Sequence, residues 1–236
     1  YKSDTQTKEM FVRNNNGVNL TPIEKTRVKI SNKLEILRKI TGHQLFESVY
    51  EFTNNNKKRF GDTDLALSYI MEELCSGTDH NKASKEKFSN ELATSMIEEK
   101  VVSNILKKMN YLYSVLKNVE AEEDVDKKKE ISRKVYPASN RIILFRIAEV
   151  CIKNKYAPEE VYQFLKTYFV ANGYNYAKIA GNTSTSNKSS LTVRYNHLKI
   201  ELEGSLKSSE LPNSKKDNKA NKSVKENKSR SEEHTS

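Results

Sequence analysis

Phe11-Val-Arg13-Asn-Asn15-Asn-Gly17-Val-Asn-Leu20-Thr-Pro-Ile-Glu24-Lys-Thr-Arg27 is the stretch of this 236-residue chain whose residue types and spacing suit a ligand best. An apolar anchor, a cation, amide side chains and a glycine stand immediately before an expected helix start. Free backbone N–H groups and the positive end of the helix dipole favour an anion there. Arg13 and Arg27 could add bidentate phosphate contacts. The plain alternative is a capped Asn/Gly loop that binds nothing.

The other chemistry-bearing residues form no comparable group. His43, His80 and His197 have no carboxylate or cysteine at ligand or triad spacing, so each is expected at a surface or a helix end. Cys75 and Cys151 lie on apolar helix faces and read as small core residues. The paired acids Glu72-Glu73, Glu98-Glu99 and Glu159-Glu160 are consecutive, and consecutive side chains on a helix do not face one another, so none is an acid/base dyad. No catalytic residue is assigned and no metal site is expected from these residues.

The elements that must position the loop read as helices. Thr21-Pro22-Ile23-Glu24 opens one, with Thr21 as cap, Glu24 reaching back and Pro22 where its missing N–H costs nothing. Thr41-Gly42-His43 stops the next, and Leu45, Phe46, Val49, Tyr50 and Phe52 point inward after it. Asn54-Asn55-Asn56 marks a turn, and Asp62-Thr63-Asp64 caps a helix that ends at Ser76-Gly77. The longest segment is expected from Ser84 or Lys85 to about Asn118, with Phe88, Leu92, Met96, Val101, Ile105, Leu112 and Leu116 as its apolar stripe. After Pro137, Ile142 to Ile152 is apolar on nearly every side and should be the buried centre of a bundle. Ala157-Pro158 opens a further helix, residues 181–190 are a polar loop, and a last helix covers about 190–204. From Ser205 the Lys/Asn/Ser composition is too poor in apolar residues to offset ordering entropy, so a disordered basic tail is expected.

The loop resembles the second signature of the GmrSD-type restriction N-terminal domain family, a ParB/sulfiredoxin-like fold. That signature runs Phe-x-Arg-x-Asn-x-Gly, then Leu, a Ser/Thr-Pro turn, and Glu and Arg on a helix. Phe11, Arg13, Asn15, Gly17, Leu20, Glu24 and Arg27 fit it. Residues 5–75 or so are similar to the family's domain, including Lys58-Arg59-Phe60 ahead of Asp62. Val18 stands where many members carry a second Gly, and Arg27 sits one place late. The resemblance implies a nucleotide-dependent, DNA-directed role in restriction or phage defence, using a nucleoside triphosphate and a divalent metal in the intact protein. It implies Arg13, Asn15 and Gly17 as a nucleotide-contacting loop and Phe11 as its anchor. Glu24 is a cap rather than a catalytic group, and Arg27 stays open between phosphate contact and a solvated helix face. The family's other signature, Asp-Gly-Gln-Gln-Arg, precedes this segment in relatives and is expected upstream of Tyr1, in a part of the same protein that would partner this one.

The expected fold is therefore mainly α: a multi-helix bundle behind the last strand or loop remnant of a ParB-like α+β domain. Residues 1–20 would be that remnant, with at most a short strand near 8–13. A helical region at 21–120, a helical subdomain at 121–204 and the tail at 205–229 would follow. Residues 230–236 spell Arg-Ser-Glu-Glu-His-Thr-Ser, the translation of a common sequencing-library adapter, and are read as an artefact. With Tyr1 as the first residue, the chain is expected to be a gene fragment.

Composition agrees with helices. Seven Gly, four Pro and no Trp are too little punctuation for a sandwich or barrel. An apolar share of 36% supplies a core, while 31% charged residues and a mean hydropathy of −0.79 keep the rest polar. No run of about 18 apolar residues exists, so no membrane partner is expected, and two isolated cysteines point to a reduced, cytoplasmic compartment. The net charge of +10 is uneven. Residues 1–60 hold 12 Lys/Arg against 6 Asp/Glu, whereas 61–205 hold 21 against 20. A basic first quarter suits a polyanionic partner, DNA or nucleotide phosphate. The rival is a non-catalytic helical module that binds DNA or protein. Its support is a loose helix-turn-helix at 157–200, with Arg194, Tyr195, His197 and Lys199 on the second helix and a connecting loop longer than the compact form uses.

Overall fold

The computed structural model describes residues 6, 10, 22–50, 52–171, 175, 178–179 and 185–207. These are 82% helical with no strand among them, as the periodicity requires. Met10, the described position inside the expected 8–13 strand, is helical.

The chain runs through α1 (Pro22–Lys29), a 3-10 turn (Ser31–Lys33), α2 (Leu34–Thr41), a π-helical turn (Leu45–Val49) and α3 (Asn54–Lys58). It continues with α4 (Gly61–Leu74), α5 (Lys82–Thr94), α6 (Glu99–Glu120), α7 (Val125–Val135) and α8 (Ala138–Asn154). Helix α9 (Pro158–Lys166) passes into a π-helical turn (Thr167–Ala171), and α10 (Lys188–Lys207) follows.

Two expected elements differ. The three asparagines form the start of α3 rather than a turn, because Thr53 caps it: its Oγ1 accepts the Asn56 N–H at 3.2 Å. The expected long segment is two helices. Asn81 caps α5 by accepting the Ser84 N–H at 2.9 Å. At the other end the Thr94 and Ser95 hydroxyls both donate to the Glu91 carbonyl, at 3.1 and 2.8 Å, and Ser95 turns extended. Such side-chain bonds compete with the helix ladder. The break turns Met96 outward, 92% exposed, so it is not part of the apolar stripe. Helix α10 also runs three residues beyond the expected end at 204, to Lys207.

Helix α8 is the centre. Ile142, Ile143, Phe145, Ile147 and Cys151 are buried, and only Val150 of the expected set is half-buried. Helices α4, α6 and α10 pack around it. The buried side chains from Ile30 to Leu206 make one cluster, on both sides of the boundary at 120/121. Its densest part is aromatic: Tyr69 stacks on Phe145 with ring centroids 4.1 Å apart, and Phe46 meets Tyr69 edge-on at 5.7 Å. The Tyr50 and Tyr69 hydroxyls share a buried hydrogen bond of 2.9 Å. Burial pushes the Tyr50 phenol up to about 12, so the pair stays neutral.

Truncating Phe145→Ala should lower the unfolding free energy by about 3–5 kcal/mol, the cost of a large core cavity. Tyr69→Phe should cost about 1–3 kcal/mol, because it leaves the Tyr50 hydroxyl buried without a partner. Urea denaturation of each variant reads both.

Candidate functional site

Phe11, Arg13, Asn15, Gly17, Leu20 and Thr21 lie outside the described residues. What the structure places is the helix that follows them in sequence. α1 begins at Pro22, with Glu24 in its first turn, where a carboxylate complements the helix dipole. Thr26 is buried, and Lys29 reaches Glu86 of α5 at 3.3 Å.

Arg27 is half-buried on α1. Its guanidinium lies 3.7 Å from the centroid of the Phe60 ring. Phe60 holds a left-handed backbone, φ 56°, just before α4. A bulky side chain adopts that region at a cost of roughly 1–2 kcal/mol, which the ring's contact with Arg27 helps to offset. The consecutive cations Lys57, Lys58 and Arg59 precede it, all exposed.

The polar group that the sequence conceals is internal. Glu72 of α4 is 4% exposed and takes Arg146 of α8 in two hydrogen bonds, Nε to Oε2 at 2.5 Å and Nη2 to Oε1 at 2.6 Å. His80 Nε2 bonds the same Oε1. His80 is therefore not the expected surface or helix-end histidine: it is buried, because the Ser76-Gly77 turn folds its segment back over α4. Gly77 has φ 79°, a region that favours glycine, which makes the reversal accessible. Burial opposes ionisation of Glu72, but the hydrogen bonds from His80 and Arg146 outweigh it and hold the carboxyl below its ordinary value. With the His80 side chain fully covered, no substrate reaches this group. It is a structural clasp, not an acid/base centre.

The remaining expected residues are also engaged. His43 Nδ1 accepts the Leu45 N–H at 3.1 Å, which leaves Nε2 to donate to Asn110 at 2.9 Å. Cys151 is buried, and burial pushes its thiol up to about 12, so it is a core residue as expected; Cys75 is half-buried. On α10 the arginine that a base-reading helix would present is turned inward. Arg194 is 2% exposed and donates to Asn140 and, at 3.4 Å, to the Thr185 carbonyl. His197 Nδ1 meets the Tyr168 hydroxyl at 2.8 Å, and Tyr195 packs against the core. Among the described residues, no group of three or more His, Cys, Asp or Glu is placed to hold a metal ion, and no helix is long and apolar enough to cross a membrane.

No family model, no curated protein and no solved structure matches this chain.

Glu72→Gln should destabilise the fold by about 3–5 kcal/mol, because Arg146 is left buried without its counter-charge. The lowered carboxyl favours the folded state wherever it is ionised. Its contribution is complete above the ordinary value of 4.5 and disappears as the pH falls through the lower folded value. The stability gap between the native chain and the variant should therefore close on acidification, read by urea unfolding at a series of pH values.

Proposed function

We propose that this chain supplies the phosphate-side loop and the helical domain of a nucleotide-dependent, DNA-directed protein of the GmrSD type. The observation that carries the reading is the run of seven matching residues, Phe11 to Arg27, leading into a helix that begins at Pro22. A helix start leaves its first N–H groups without intrahelical partners, and a phosphate oxygen is a natural acceptor for them. In this reading Arg13 grips phosphate oxygens bidentately, Asn15 adds an amide donor, and Gly17 lets the backbone approach closely. The divalent metal that accompanies the nucleoside triphosphate falls to the acidic signature expected upstream. A ParB-like α+β fold for the residues before α1 and DNA as the polyanion belong to the same proposal.

Arg13→Ala and Asn15→Ala in the full-length protein should each lower nucleotide hydrolysis by about a hundredfold, the usual cost of removing one preorganised donor, while the melting temperature holds. Hydrolysis that persists in both variants would return the chain to the rival reading of a helical binding module without chemistry. A complete gene that encodes nothing like Asp-Gly-Gln-Gln-Arg ahead of Phe11 would end the assignment.

A further inference from the structure

A groove of about 720 Å³ runs between α2 and α6. Its floor is apolar: Ile36 from α2, Val102 and Leu106 from α6, and Ile97 from the segment that joins α5 to α6. Met96, next to Ile97 in sequence, is the most exposed of the large apolar side chains described. Lys39 stands on the α2 wall and Lys107 on the α6 wall. Neither ammonium pairs with a carboxylate among the described residues. Lys108 differs: it bridges Glu73 and Glu149 at 2.8 Å each.

We infer that this groove docks an acidic amphipathic helix of about three turns from a partner protein. The walls decide between a helix and an extended peptide. Both are α-helices whose backbone N–H and C=O groups are bonded internally, so an added strand would find no backbone to pair with. A helix brings its own hydrogen bonds and needs only a side-chain stripe to fill the trough. The α6 wall offers Glu99, Val102, Ser103, Leu106, Lys107 and Asn110, one continuous face with helical spacing. The eleven steps of about 1.5 Å from Glu99 to Asn110 make that face about 16 Å long, the length of three turns.

Charge sets the sign and the register. Lys39 and Lys107 call for carboxylates, while Glu99, the first residue of α6, repels them. Glu99 and Lys107 are about 12 Å apart along α6. The docked helix therefore carries a neutral or basic residue at one end and Asp or Glu about two turns further along. Its apolar residues, spaced i, i+3 or i+4, and i+7, face Leu106 and Ile36.

The probe is a displayed library of helical three-turn peptides selected on the whole chain, with the winning peptide then measured by fluorescence anisotropy. Selected sequences should share the apolar spacing and place an acid two turns from the non-acidic end. The variant Lys39→Glu with Lys107→Glu should weaken the winning peptide by about tenfold or more, and added salt should weaken it in the native chain. Both lysines are exposed and have no carboxylate partner among the described residues, so circular dichroism and the melting curve of this variant should match the native chain. Leu106→Glu tests the floor separately and should also abolish binding. Three results overturn the proposal: no helical binder emerges, selected binders lack the acid, or the double charge reversal leaves affinity unchanged. A second copy of this chain as the occupant, through the exposed Val193 and Ile200 of α10, would show instead as self-association lost in the lysine variant on sedimentation, which also overturns it.

Discussion

From Ile142 to Ala148 helix α8 has almost no surface that it can show to water, and that constraint arranges the rest of the molecule. A helix apolar on nearly every side is stable only when other elements surround it, and α4, α6 and α10 do so. Four polar residues of α8, from buried Asn140 to exposed Glu149, fix its neighbours. Asn140 receives Arg194 of α10 and donates to the Lys134 carbonyl at the end of α7. Arg141 donates to the Tyr50 carbonyl at 3.1 Å and lies over the Tyr50 and Phe52 rings. Arg146 takes Glu72 of α4, and Glu149 takes Lys108 of α6. Each latch reaches a different segment.

Apolar contact alone would not select one register for these helices, because dispersion and area burial have little direction. Hydrogen-bonded latches do have direction. A turn's rotation of α4 or a slide of α10 would leave Glu72 or Arg194 buried without a partner, at a cost larger than the pair itself contributes. The Glu72 clasp is thus better understood as a determinant of arrangement than as a net source of stability. His80 extends it beyond the α4–α8 pair. Its backbone N–H donates to the Ser186 carbonyl at 2.9 Å, and Asp79 accepts the Lys188 N–H, so the turn after α4 holds the start of α10.

The helices and the central role of α8 are legible from periodicity and from Pro and cap residues, because those signals are local. The latches are not. Glu72 and Arg146 lie 74 residues apart, and Asn140 and Arg194 lie 54 apart, so no spacing rule connects them. Arg194 reads as an exposed base-reading residue until α10 is seen to turn it towards Asn140. The break at Ser95 is concealed by the apolar step of four that carries across it, although Asn81 and Thr94-Ser95 are recognisable start and stop residues of α5. Of the signature, only Glu24 and Arg27 fall on described residues, and the aromatic partner that claims Arg27 stands 33 positions away at Phe60.

Folding also sharpens the charge asymmetry of the sequence. Beyond residue 60, many of the cations meet carboxylates: Lys85 with Asp64, Lys108 with Glu73 and Glu149, Lys128 with Glu120, Arg146 with Glu72, Lys166 with Glu122. Among the described residues of the first quarter, Lys29 is paired with Glu86. Lys25, Arg38, Lys39, Lys57, Lys58 and Arg59 remain exposed, with no carboxylate partner among the described residues. Surface pairs contribute little to stability, so their uneven distribution matters more for the field around the molecule. Charges cancelled in the later part of the chain and left bare in the first quarter give an uneven potential, and such a potential raises the encounter rate with polyanions. Of these bare cations, Lys25 belongs to α1 and Lys39 to the α2 wall of the groove. In the proposed reading, a phosphate bound ahead of α1 and an acidic helix at Lys39 would both draw on this unpaired charge, and each would weaken the attraction felt by the other through Coulomb's law.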